Sequence, residues 1–418
     1  MTATDVVCLG ESMVTFLPSR PGPLADVPSF SRAIGGAESN VACALAAAGH
    51  RAKWVSRVGA DGFGDHLVRA VAAYGVDTSA VRRDPHRPTG VYFRTATDRA
   101  DDGHEVVYYR AGSAASAMGP DTVPSEDLTA ARVLHLTGIT AALSAGCLAL
   151  LRALTARRPG RPLLSFDVNH RPGLWRGADP AVLLDLARGA DLVLVGDDEA
   201  RAAWGLRDPA AIRAALPEPA VLVVKHGARG ATAYARGPAP RPGAAPRPGA
   251  PRPAAEAPRP GAGGSSASLR PGAPGRAPGA PGDRPDTPGD RPDTPGHRPG
   301  APGHRADTPG TGADLHPPGD RVVHVPAPRV EVVAHVGAGD AFAAGFLSAT
   351  LRGLALEHRL RHGHLMAAAA LTVPGDLAVP PARAHADRLA ALDDGAWGRL
   401  HLGPGWTRTG EDQEVRTP

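Results

Sequence analysis

The chain has 418 residues, a formal net charge of +4 and 4% aromatic side chains. At roughly 150 residues per domain the length leaves room for two or three units and excludes a small module. The weak charge and the absence of basic runs interleaved with aromatics exclude nucleic-acid recognition by base stacking.

The first 235 residues alternate short β-branched runs with Ala/Leu-rich helical runs. In chain order the pattern predicts a strand at 6–9, a helix at 39–48, a strand at 53–58 and a helix at 65–74. It continues with a strand at 133–136, a helix at 144–156, a strand at 163–167, a helix at 181–189 and a strand at 192–195. A helix at 209–216 and a strand at 221–225 close the series. Strands separated by helices imply right-handed βαβ units and a mostly parallel sheet covered on both faces. Residues 90–95 and 105–110 break the rhythm, because two β-rich runs are joined by the polar turn 98–103 without a helix. They predict a hairpin, within a lid spanning about 88–112.

Residues 237–320 form a separate compositional class and hold 22 of the 44 prolines. Within them, 269–310 repeats with a period of seven residues, as in Asp-Arg-Pro-Asp-Thr-Pro-Gly. Each repeat carries Pro and Gly and offers no apolar a/d pair, so it cannot form a coiled coil or bury a core. The segment reads as a long disordered insert, partly polyproline II. Strand character resumes at 321–325 and 330–333, so the insert expands the loop of a hairpin whose first strand is 231–235. Loop closure cost grows only logarithmically, which makes so long an insert tolerable. Helices follow at 341–351 and 362–371. The organisation is then one domain over 1–236 and 321–400, the insert, and a polar tail at 401–418.

Gly337-Ala338-Gly339-Asp340 is placed where a strand gives way to a helix. Glycines there let the backbone approach an anion, and free N–H groups with the helix dipole supply donors. An Asp in that first turn would repel a bound phosphate. The conflict resolves if Asp340 is a general base beside a transferred phosphoryl group.

This segment resembles the C-terminal signature of the PfkB, or ribokinase-like, carbohydrate kinases. Gly35-Gly36-Ala37-Glu38-Ser39-Asn40-Val41-Ala42 is similar to the N-terminal signature of that family. Gly59-Ala60-Asp61-Gly62-Phe63-Gly64 and Val223-Val224-Lys225-His226-Gly227-Ala228-Arg229-Gly230 match two further segments. The resemblance covers about 5–235 and 320–380, in the family's order. It implies a ribokinase-like α/β three-layer sandwich with a mostly parallel central sheet and a small β lid, transferring the γ-phosphate of ATP to a sugar hydroxyl. Asp340 matches the catalytic base, and Gly337, Ala338 and Gly339 match the anion hole. Gly35, Gly36 and Asn40 match sugar contacts. Lys225, Gly227 and Gly230, with Gly337 and Gly339, match the nucleotide region. Glu199 matches the acid of an Asn-x-x-Glu motif linked indirectly to Mg2+.

Tyr108-Tyr109-Arg110-Ala111-Gly112-Ser113-Ala114 and Asp167-Val168-Asn169-His170-Arg171-Pro172-Gly173-Leu174-Trp175 bear on the substrate. Together they resemble 2-keto-3-deoxygluconate kinases, in which residues matching Tyr92, Tyr108, Arg110 and Arg171 contact the sugar acid. The chemistry agrees, since a guanidinium grips a carboxylate bidentately. Thr15 stands where kinases of neutral sugars often carry an Asp. Fructose and 5-dehydro-2-deoxygluconate are the neighbouring substrates, and a non-catalytic sugar-binding protein is the competing class. The sequence departs from the family at Ala334, where an Asp is usual, and at Gly196, where Asn opens Asn-x-x-Glu. The first departure puts monovalent-cation activation in doubt. Cys8, Cys43 and Cys147 are odd in number and widely spaced, which argues for a reducing compartment and against a disulfide scaffold. Without a signal-like N-terminus or a long apolar run, the expectation is a cytoplasmic protein that binds a sugar acid and ATP, touches neither membrane nor nucleic acid, and forms a homo-oligomer.

Overall fold

The structure is a computed structural model and describes residues 4–95, 106–237 and 319–408. In chain order the strands are β1 (Thr4–Leu9), β2 (Met13–Pro18), β3 (Phe30–Gly35), β4 (Ala52–Gly59), β5 (Val81–Asp84), β6 (Val91–Arg94), β7 (Val106–Tyr109), β8 (Ala131–Thr137), β9 (Leu163–Asp167), β10 (Leu192–Gly196), β11 (Val221–Lys225), β12 (Ala231–Arg236), β13 (Asp320–Val325), β14 (Arg329–Val330) and β15 (His401–Leu402). The helices are α1 (Ala37–Ala47), α2 (Gly62–Ala73), α3 (Glu126–Thr129), α4 (Gly138–Ala141), α5 (Ala145–Thr155), α6 (Ala181–Gly189), α7 (Asp197–Trp204), α8 (Pro209–Ala215), α9 (Ala338–Leu351), α10 (Leu356–Leu371), α11 (Arg383–Ala390) and α12 (Asp394–Arg399).

The central sheet runs β13-β12-β11-β10-β9-β8-β1-β4-β5. Its strands from β11 to β5 are parallel, and β12 and β13 add an antiparallel edge. Successive side chains on a strand point to opposite faces. Cys8, Leu194 and Val223 therefore pack into one core with Phe342, Phe346 and Leu360. Leu9, Val193, Val195 and Phe166 pack into the other with Leu150, Leu151 and Leu186. Two apolar cores on the two faces of one sheet make three layers, the architecture expected from the sequence.

The lid is larger than a hairpin. β6 and β7 pair antiparallel as expected, with the turn 98–103 outside the described residues, but they join β2 and β3 in a sheet of order β3-β2-β6-β7. The expected strand at 330–333 is reduced to Arg329–Val330, which pairs with His401–Leu402. Val332 and Val333 are about half exposed, and no strand pairs with them among the described residues. That pairing, with Leu402 buried, also carries the folded domain past the boundary drawn at 400. Of the two glycines before Asp340, Gly339 is already helical, since α9 starts at Ala338, and Gly337 caps it.

Most of the insert lies outside the described residues, but its roots do not. β12 and β13 pair with Arg236 opposite Asp320, and Gly237 N–H donates to the Gly319 carbonyl at 3.1 Å. The insert thus leaves and rejoins the domain at the tip of one hairpin. Asp320 is clamped there by fully buried Arg213, at 2.6 and 3.1 Å.

Candidate active site

α9 begins at Gly337, whose φ of 76° lies in the left-handed region. A Cβ at this position would sit 2.2 Å from the Asp376 carbonyl oxygen, so glycine is required by conformation and by space. Three residues on, Asp340 Oδ2 accepts a hydrogen bond from Asn40 Nδ2 at 2.9 Å. Asn40 lies in the first turn of α1, the helix opened by Gly36. The two glycine signatures, 300 residues apart in sequence, thus meet through one hydrogen bond.

Burial pushes the Asp340 carboxyl up to about 7. The Asn40 hydrogen bond opposes that shift, Asp167 adds to it, and Arg171 and Lys225 oppose it. Asp167 ends β9 and Lys225 ends β11, and the Lys225 ammonium lies 3.0 Å from both Asp167 oxygens. Glu199, in the first turn of α7, is partly buried, and its Oε2 accepts from Gly196 N–H at 2.8 Å. Burial raises its pKa, with Lys225 as the main opposing charge. These groups gather at the carboxyl ends of parallel strands and at helix N-termini, where open α/β sheets hold ligands.

The expected nucleotide turn follows β11. Gly227 has a φ of 57°, and at Gly230, with φ of 119°, a Cβ would meet the Val325 carbonyl at 2.3 Å. For Mg2+ the donor set is one partly buried carboxylate, Glu199, beside the cluster. That suits an ion that keeps waters and phosphate oxygens in its shell. Among the described residues no group of three or more His, Cys, Asp or Glu could hold a metal by itself.

The lid residues form a second cluster. Gly35 leaves room for Tyr92, whose hydroxyl would lie 2.2 Å from a Cβ there. Tyr92 is buried, donates to Asp376 Oδ2 at 3.2 Å, and has the ring of Tyr108 at 5.4 Å. Tyr108 is 51% exposed. Arg110, expected to hold a substrate carboxylate, is ion-paired with buried Glu11, which also accepts from Ser113 Oγ at 2.6 Å. Its guanidinium lies 5.7 Å from the centre of the Tyr108 ring. Arg171 differs, for its guanidinium has no hydrogen-bond or ion-pair partner among the described residues and acts electrostatically on Asp340 and Glu199.

Sequence reasoning left out Glu11, Asp167, Asn169, Arg94 and Asp376. Asp167 and Asn169 stood in a quoted motif, and Asn169 is the non-glycine residue with positive φ (40°) among the described residues. Arg94 and Asp376 form a buried ion pair at 3.4 Å that joins the lid to the loop after α10. No local pattern announces it.

A parallel sheet with a β lid, and a partly buried Asp in the first turn of a glycine-opened helix, define a phosphoryl-transfer enzyme of the ribokinase-like type. The pfkB family carbohydrate kinase profile matches residues 3–247 and 309–383, and the chain belongs to that family. A 2-dehydro-3-deoxygluconokinase from Thermoproteus tenax is 36% identical over 238 residues, 56% of this chain and 72% of that one. Another from Bacillus subtilis is 37% identical over 214 residues, 50% of this chain and 65% of that one. Fructokinase-1 from Zea mays is 33% identical over 237 residues, 55% of this chain and 73% of that one. Among solved structures, a PfkB protein from Polaromonas sp. JS666 superposes with a TM-score of 0.64 at 29% identity, covering 92% of this chain and 99% of that one.

Proposed function

We propose that the protein is an ATP-dependent kinase of a sugar acid, converting 2-keto-3-deoxygluconate (2-dehydro-3-deoxygluconate) to its 6-phosphate. The observation that carries the reading is Asp340, partly buried and held by Asn40 at the N-terminus of α9. Asp340 takes the proton of the terminal hydroxyl. The hydroxyl oxygen bonds to the γ-phosphorus, the bond from that phosphorus to the bridging oxygen breaks, and ADP leaves. Backbone N–H groups at Gly337, Ala338 and Gly339 face the charge that develops on the phosphoryl oxygens. Mg2+, held through Glu199, would supply further neutralisation of the phosphates. Gly35, Gly36 and Asn40 line the sugar side under Tyr92 and Tyr108, and Gly227 and Gly230 shape the nucleotide side.

Arg171 supports the choice of an acid, because its guanidinium, electrostatically coupled to Asp340, has no hydrogen-bond or ion-pair partner among the described residues. Arg110 supports it only if substrate displaces Glu11. A carboxylate in the lid pocket and the fructokinase relative favour a second reading, fructose as substrate. Assembly as a homo-oligomer is part of the proposal by family analogy. Among the described residues no helix is long and apolar enough to cross a membrane.

The test is Asp340→Asn. It is expected to fold and to bind sugar and ATP while losing nearly all ADP release. Turnover at the wild-type level would remove Asp340 from the role of base.

A further inference from the structure

We propose that a pocket at the amino ends of β9 and β10 is a second ligand site, separate from the phosphoryl-transfer site, and that it takes a small phosphate monoester.

The loop between α5 and β9 builds it. Gly160, with a φ of 77°, turns the chain between Pro159 and Arg161. Arg157, Arg158 and Arg161 then line one open pocket of about 360 Å3 together with Asp191, the residue before β10. Leu163, the first residue of β9, forms part of the wall. Asp167 is the last residue of that strand, about 13 Å away at roughly 3.3 Å per residue. A phosphate in this pocket is therefore not the one that meets Asp340.

The arginines are held in place by the protein itself. Arg157 Nη2 donates to the carbonyls of Arg188, Ala190 and Glu218 at 3.0, 3.1 and 3.2 Å. Arg158 Nη2 donates to the Ala153 carbonyl, and Arg161 Nη2 to the Gly189 carbonyl at 3.0 Å. Several of these carbonyls end α5 and α6, where cations are favoured on structural grounds alone. That role engages the Nη2 corner of each fork, whereas a guanidinium has five N–H donors. Arg161 Nη1 is buried without a hydrogen-bond partner among the described residues. Arg157 Nη1 meets Asp191 only at 3.4 Å. Helix capping does not account for these remaining donors, and an oxyanion does.

Charge and shape select the ligand. Three arginines face one carboxylate, so the lining carries a net charge of +2. Asp191 is committed to Arg161 Nη2 at 2.9 Å and to Leu164 N–H at 2.8 Å. A phosphate monoester carries about −1.5 to −2 at pH 7 and presents three acceptor oxygens, which suits guanidinium forks already fixed in place. The pocket is larger than a phosphate group needs, and Pro159, Pro162 and Leu163 offer an apolar side to a short carbon chain.

The test is calorimetry on the full chain with glycerol 3-phosphate as the probe and Mg-ADP saturating the nucleotide side. Wild type is expected to bind it with a Kd of about 0.1–1 mM. Arg158 is the residue to change, because it is exposed and its hydrogen bond goes to one carbonyl. Arg158→Ala should weaken the probe about 10-fold, the loss of one charge-assisted contact, and Arg158→Glu about 100-fold, with Mg-ADP affinity within about twofold of wild type in both. Inorganic phosphate should bind wild type about 3- to 10-fold more weakly than glycerol 3-phosphate, for want of the carbon chain, and succinate more weakly still. No binding of the probe up to about 10 mM, or an unchanged affinity in Arg158→Glu, would overturn the site. Equal or tighter binding of inorganic phosphate or succinate would overturn the phosphate monoester as its ligand. No sugar and no turnover enter the measurement, so the result stands apart from the kinase reading.

Discussion

Replacing Asn40 by Ala isolates the contact that joins the two glycine signatures. Burial raises the Asp340 carboxyl to about 7, and the Asn40 amide at 2.9 Å opposes that shift by favouring the charged form. A hydrogen bond to a charged group contributes about 1.5–3 kcal/mol, which corresponds to about one to two pH units. Loss of the donor penalises the carboxylate, so the Asp340 pKa rises and the acid limb of kcat/KM moves to higher pH. At pH 7 the wild-type base is about half ionised and the variant base about 1–10% ionised. Protonation alone then lowers kcat/KM about 5- to 50-fold at pH 7, and raising the pH to 9 recovers most of it. The assay is ADP release at saturating Mg-ATP and low sugar over pH 5–9.5, because kcat/KM reports the free enzyme's groups. Any loss of sugar contact lowers the whole curve without moving the limb. A limb that stays in place, or moves to lower pH, would refute the role of Asn40 in setting the base.

Glu38 offers a stability test with a definite sign. Burial pushes its carboxyl up to about 7, against hydrogen bonds from Thr140 and Thr137. The folded state therefore keeps a proton that the unfolded state releases, and stability falls as pH rises from about 4.5 through 7, by about 3 kcal/mol in all. Glu38→Gln should match wild type in melting temperature at pH 5 and exceed it by a few degrees at pH 8.5; parallel curves would contradict this. Arg171→Ala should reduce sugar-acid use at least tenfold more than fructose use, the scale of one guanidinium–carboxylate contact, and equal losses would count against carboxylate recognition. Arg110→Ala leaves Glu11 buried without its partner and should cost about 3–5 kcal/mol of stability, read as a fall in denaturation midpoint; an unchanged midpoint would show that the pair is dispensable. Replacing 238–318 with Asn-Gly should close the β12–β13 hairpin and leave turnover within about twofold, since Gly237 and Gly319 are already hydrogen-bonded; loss of folding would show that the insert is structural.

Strands inside βαβ units were legible because each is a dense apolar run between helical periods. β2 and β3 were not, although Met13–Pro18 and Phe30–Gly35 are regular strands, because what makes them a sheet is pairing with Val91–Arg94 across about 60–80 residues. The start of α9 was legible from Gly-Ala-Gly-Asp, where backbone freedom and charge are both written in residue types. Arg110 shows the limit of such reading. Residue type gave a guanidinium that could hold a carboxylate, but the first carboxylate it meets is Glu11, buried two residues before β2. Lys225 and Asp167 are 58 residues apart, and only the register of β9, β10 and β11 brings them together.

The central claim is transfer of a phosphoryl group from ATP to a sugar acid. Its most direct test is ADP release by the purified protein with Mg-ATP, in parallel over 2-keto-3-deoxygluconate, fructose, ribose and 5-dehydro-2-deoxygluconate. The account predicts a kcat/KM for 2-keto-3-deoxygluconate at least about tenfold above the other three, the scale of one well-placed carboxylate contact. A higher value for fructose or ribose would contradict it.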